Sequence, residues 1–93
     1  TGVSGSVADK MGSMICEMGN NMQVFAITHL PQVAAKGNAH YLVSKTVDAA
    51  ASSAVSTIKK LSDQQRVLEV ARMLSGSVLT DAAVANAKAL LGV

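Results

Sequence analysis

The sequence predicts an α/β fold, and one that is incomplete by itself. Three observations predict it. Residues 22–28 read MQVFAIT, a short and almost wholly apolar run rich in Val, Phe and Ile. Such a run, bounded by turn residues, marks a strand buried on both faces, of the kind found in parallel sheets. Apolar residues recur at helical spacing both before and after it, and residues 40–47 alternate as a strand does. A lone buried strand cannot complete a sheet, so the expected architecture is an incomplete α/β layer in the order helix, strand, short helix, β-hairpin, helix, helix.

Each element has its own signals. Residues 1–6 form a Gly/Ser loop, and Ser6 with Asp9 three positions later is expected to cap the first helix. Val7, Met11, Met14, Ile15 and Met18 then lie at helical spacing and predict one apolar stripe. Gly19, Asn20 and Asn21 tolerate positive φ and should end that helix. After the 22–28 run come His29 and Leu30, and Pro31 suits the first turn of a short helix reaching about Lys36. Gly37 and Asn38 stop it.

Tyr41, Val43, Lys45 and Val47 share one face of the next strand, and residues 54–61 form its partner across a small, polar turn at 48–53. Ser62 and Gln65 fit a capping box, followed by Val67, Val70, Ala71 and Leu74 at helical spacing and by Gly76 as terminator. Thr80 caps a last helix with Val84, Ala87 and Leu91 on its inner side.

Composition bounds the function. The 93 residues are 49% hydrophobic and 15% charged, with mean hydropathy +0.33, which describes a folding chain too short for two independent cores. The net charge of +2 comes from scattered cations, with Lys59-Lys60 as the adjacent pair. Neutralising nucleic-acid phosphates takes clustered cations, and stacking on bases takes aromatics, of which the chain has one Tyr and one Phe. A DNA-contact surface is therefore not expected here. A single cysteine, Cys16, excludes an intrachain disulfide, fits a reducing cytoplasm, and reads as a small core residue beside Met14 and Met18. No apolar run approaches the roughly 20 residues of a membrane span. The chain opens on Thr1 inside a Gly/Ser turn, as a fragment of a longer protein would.

Three features bear on chemistry. His29 stands at the C-terminal end of the expected buried strand, where open α/β sheets bind ligands. There it is either a donor to a phosphate oxygen or a structural histidine bonded to neighbouring backbone. The opening Thr1-Gly2-Val3-Ser4-Gly5 precedes a helix and offers backbone N–H groups to an anion, yet it lacks the Gly-Lys-Ser/Thr of a P-loop, and as an isolated string it reads as a turn. Leu74-Ser75-Gly76 imitates the start of the ABC signature LSGGQ, but Ser77 replaces the second glycine and the triplet lies after His29, so it reads as a helix end. His29 and His40 have no further ligands at metal-binding spacing.

Taken together, TGVSG at 1–5, ITHLPQVA at 27–34 and ARMLSG at 71–76, in that order, resemble the RecN family. These are bacterial, SMC-like proteins of DNA double-strand-break repair and recombination, and the resemblance covers essentially the whole chain. It implies that residues 1–93 are the C-terminal segment of an ABC-type P-loop ATPase head, from D-loop to C-terminus, and not a complete domain. Thr1, Gly2, Val3, Ser4 and Gly5 would be the D-loop, and His29 the switch histidine. Where many ABC proteins have an Asp in the D-loop, this chain has Ser4, so no carboxylate role carries over to it.

The resemblance further implies ATP with Mg²⁺ as the nucleotide and its metal. Its implied partners are the N-terminal half of the same head, a second head in a head-to-head homodimer, and DNA through the full-length protein, in the bacterial cytoplasm at the nucleoid and without a membrane. The Walker A lysine, the signature and the Walker B acids are absent from these residues, so the isolated chain is expected to be inactive. The alternative reading is a non-catalytic α/β module that binds a protein partner through apolar helix faces. A strand ending in Asp-Glu ahead of Thr1 would favour the ATPase, and a start codon there the module.

Overall fold

The computed structural model describes residues 4–48, 50, 53–76 and 78–93. Their elements run α1 (Gly5–Met18), α2 (Pro31–Ala34), β1 (Tyr41–Asp48), β2 (Ser53–Lys60), α3 (Asp63–Ser75) and α4 (Asp81–Leu91). This is a small α/β arrangement with one antiparallel two-stranded sheet and helices.

The helix pair α3–α4 holds the best-packed region. The predicted capping box forms in full: Gln65 N–H donates to Ser62 Oγ at 3.2 Å, and Ser62 N–H to the Gln65 side-chain oxygen at 3.0 Å. Gly76 ends α3 at φ 79°, a backbone conformation that suits glycine. Thr80 Oγ1 accepts Ala83 N–H at 3.1 Å and starts α4. Between the helices Val70, Ala71, Ala83 and Ala87 are buried, with Val67, Leu74, Val84, Leu90 and Leu91 packed around them. Leu74-Ser75-Gly76 is thus the end of a helix, as its sequence suggested.

Helix α1 departs from expectation in two ways. Its N-cap is Ser4, whose Oγ accepts Val7 N–H at 3.3 Å, so the helix begins earlier than a Ser6 cap would allow. Its packed face is not the predicted apolar stripe. Val7, Met11, Met14 and Met18 are exposed, and the residues that bury are Ala8 and Gly12. Small residues win because α2 approaches very closely: a Cβ on Gly12 would stand 3.0 Å from the Gln32 carbonyl and 3.2 Å from Val33 Cα. Cys16, expected in a core, is exposed as well. The terminator Gly19 takes φ −63°, so the turn after α1 needs no positive φ at that glycine.

The largest correction concerns residues 22–28. They form no strand. Phe25 and Ile27 are 83% and 102% exposed, as open as in an extended peptide. The physical reason is that a strand is defined by its ladder, and the described residues include one two-stranded sheet, made of β1 and β2 alone. The apolar content that identified the segment as buried lacks a covering surface within these residues.

The predicted hairpin forms, with pairing that runs from Tyr41 with Lys60 to Asp48 with Ser53, so its strands extend into the expected turn. Tyr41, Val43, Lys45 and Val47 share a face with Lys60, Ile58, Ser56 and Ala54. Thr46 Oγ1 donates to the Val55 carbonyl at 3.2 Å across it. No residue of β2 is buried, and Val43, Val47 and Ile58 are exposed, so both faces of the hairpin lie open. Of the predicted turn at 48–53, residues 49, 51 and 52 lie outside the described residues.

Candidate functional site

Thr28 and Leu30 set the backbone around His29. Leu30 N–H donates to Thr28 Oγ1 at 2.9 Å, closing a tight side-chain turn over the intervening His29. The Leu30 carbonyl accepts both Val33 N–H at 3.1 Å and Ala34 N–H at 3.0 Å, and this opens α2 with Pro31 at its first position. His29 therefore lies between two residues whose backbones are tied. Its own side chain is exposed, and it makes no hydrogen bond or ion pair among the described residues.

The second predicted feature is the opening loop. Thr1, Gly2 and Val3 lie outside the described residues. Ser4 is exposed and uses its hydroxyl oxygen to cap α1, and the hydroxyl lies 3.4 Å from Ser6 Oγ. Gly5 begins the helix, and a Cβ there would sit 3.5 Å from Gln32 Nε2.

This proximity sets the start of α1 beside α2. Gln32 belongs to α2, directly after His29, so the start of α1 and the histidine turn share one neighbourhood. The Asp9–Lys36 ion pair at 3.4 Å joins α1 to the turn after α2 on the solvent side, where screening leaves it worth little.

Sequence reasoning missed Arg66. It projects from the first turns of α3, and its Nη2 donates to the carbonyls of Ala34 at 3.0 Å and Ala35 at 3.2 Å, and to that of Gly37. A guanidinium thereby adds a donor to the carbonyls at and just beyond the C-terminal end of α2. The contacts span about thirty positions of sequence, and no local pattern encodes them. Nearby, His40 loses affinity for its proton: burial comes first, the Arg66 charge adds to it, and Glu69 opposes it. Nδ1 of His40 and Nε of Arg66 are both buried without a hydrogen-bond partner.

Two clefts mark the described surface, one lined by Asp63, Arg66, Val67, Leu91 and Val93, the other by Met14, Glu17, Met18 and Asn21. Neither is lined by His29, which stands on open surface. No group of three His, Cys, Asp or Glu among the described residues is placed to hold a metal ion. No helix among them is long and apolar enough to cross a membrane.

No family model matches the chain. Individual relatives do. Over 90 residues it is 40% identical to the DNA repair protein RecN of Vibrio cholerae, a match covering 97% of this chain and 16% of that protein. Over 92 residues it is 45% identical to the RecN of Xylella fastidiosa strain 9a5c, covering 98% of this chain and 16% of the relative. Over 91 residues it is 40% identical to the RecN of Bacillus subtilis strain 168, with the same 98% and 16% coverage. The chain thus spans about 16% of the length of these relatives. Near-complete coverage of the chain in relatives from such different bacteria, together with the motifs at both of its ends, places it, as a segment, in the RecN family.

Proposed function

We propose that the chain is the C-terminal part of a RecN-type, SMC-like ATP-binding head that acts in DNA double-strand-break repair and recombination, and that it contributes the switch histidine, His29, and the D-loop residues Thr1, Gly2, Val3, Ser4 and Gly5. The observation that carries this reading is His29 itself: an exposed ring free of partners among the described residues, on a turn closed by the Thr28 side chain and the Leu30 backbone. A histidine on such a turn can donate a ring N–H to a terminal phosphate oxygen, or orient the attacking water. Donors aimed at the transferring phosphoryl group are the ones that stabilise charge in that reaction.

The residues present fit a contact to ATP and do not fit a site for Mg²⁺, since no acidic cluster is placed to hold the ion among the described residues. The phosphate-gripping lysine and the metal-holding acids belong to the N-terminal half of the head, the chain's first partner. Bound ATP supplies the γ-phosphoryl group, and His29 and the D-loop meet it from this side. Gly5, the last residue of the proposed D-loop, lies near Gln32 of α2, three positions after His29, which supports a D-loop that crosses to a second head in a homodimer. DNA is engaged by the full-length protein, in the bacterial cytoplasm at the nucleoid.

The test is His29→Ala in the full-length protein. ATP turnover should fall by roughly a hundredfold, the usual cost of a lost transition-state donor, while the melting temperature stays near that of the parent because the ring is exposed. Unchanged turnover would return His29 to a structural role.

A further inference from the structure

We propose that Arg66 is a positioning residue for His29, acting through the short helix α2. This rests on the reading of His29 as a phosphate contact. Helix α2 has four residues and buries Val33 alone, and a single turn of that length does not hold its own geometry in water. It also follows a segment, 22–28, that is paired to nothing in a sheet. Whatever fixes α2 therefore fixes the histidine turn.

The structure supplies two grips. Helix α1 presses on one side at Gly12, where an added Cβ would come within 2.9 Å of Lys36 Cγ and 3.0 Å of the Gln32 carbonyl. From α3, Arg66 holds the other end by its hydrogen bonds to the carbonyls of Ala34, Ala35 and Gly37.

From there a line of hydrogen bonds leads to the histidine. Ala34 N–H reaches the Leu30 carbonyl at 3.0 Å, and Leu30 N–H reaches Thr28 Oγ1 at 2.9 Å. Arg66 is itself anchored, because its own N–H donates to the Ser62 carbonyl at 2.8 Å within the capped first turn of α3. A cation at the C-terminal carbonyls of a helix also meets the negative end of its dipole. The best-packed region among the described residues is thus linked to the turn that carries His29.

The experiment is a double-mutant cycle in the full-length protein. ATP kcat, KM and melting temperature are measured for Arg66→Met, Arg66→Lys and His29→Ala, and for each Arg66 change combined with His29→Ala. Arg66→Met should lower kcat by roughly tenfold, the order expected when a reacting group is misplaced by a fraction of an ångström to one ångström, and leave KM within about twofold. Arg66→Lys, which keeps the charge but not the reach and planar shape of the guanidinium, should recover part of that loss. In the His29→Ala background, either Arg66 change should alter kcat by less than about twofold.

Equal losses with and without His29 would show that Arg66 acts independently of the histidine and overturn the inference. Wild-type kcat in both Arg66 variants, alongside a normal His29→Ala loss, would overturn the inference alone. Unchanged turnover in His29→Ala would overturn the function reading and this inference with it. If Arg66→Met does not fold, the Arg66→Lys arm of the cycle decides by the same criteria.

Discussion

The α3–α4 pair and the segment from Gly19 to Lys60 are built from similarly apolar sequence and end in opposite states. In the helix pair the inward-facing apolar positions pack on the adjoining helix, and Val70, Ala71 and Ala87 are fully buried. In the other region Phe25, Ile27, Val43, Val47 and Ile58 stand open. Helices satisfy their backbone internally, so a capped helix pair is complete with its own residues. A strand satisfies its backbone only across a sheet, and a sheet face buries only under a second layer. Apolar composition shows that a segment is suited to burial, and topology decides whether a given stretch of chain contains the surface that buries it.

The comparison can be broken at its packed end first. Val70→Asp places an unpaired carboxylate where the wild-type side chain is 0% exposed. The expected loss is about 3 kcal/mol or more, read from urea denaturation of the 93-residue chain by circular dichroism. A change under about 1 kcal/mol would mean that α3 and α4 do not pack in solution as described.

The seam between the two regions is sharpened by pH. His40, which precedes β1, is packed toward Arg66 and Glu69 of α3, and its proton affinity is lowered by burial and then by Arg66. The folded state therefore takes up the proton at lower pH than the unfolded chain, whose value is near 6.5. Its contribution is fully present above pH 6.5 and is lost as pH falls below that value toward the lower folded one. His40→Gln should flatten the fall in melting temperature across that window. Identical slopes for the two proteins would detach the start of the hairpin from α3.

The smallest effect is expected at the open end. Ile27→Ser in the 93-residue chain should change stability by less than about 0.5 kcal/mol, because the side chain is already exposed. The same substitution in the full-length protein should cost clearly more if the rest of the head covers residues 22–28. Equal, small effects in both settings would remove the case for a covering layer there.

Much of the fold was legible because its signals are local. Ser62 with Gln65, Thr80 and Gly76 announce helix ends through bonds closed within one turn. The two strands of the hairpin follow from alternation and the turn residues between them, and the candidate site was legible as the string around His29. What was not legible is where non-local contact decides. The Ser4 cap outcompeted Ser6, the face of α1 that packs is Ala8 and Gly12 in place of its larger apolar residues, and Arg66 reaches α2 from a distant helix.

The sequence by itself determined the helices, the hairpin and the motifs that join the chain to the RecN family, because hydrogen bonds within a turn and the two periodicities are written in neighbouring residues. Tertiary structure decided the rest. It left 22–28 without a ladder, turned the Met stripe and Cys16 outward, and set Gly5 and Gln32 side by side. It also placed a guanidinium on the carbonyls behind the histidine turn. Each of these depends on which surfaces meet, and that depends on residues far apart in the chain.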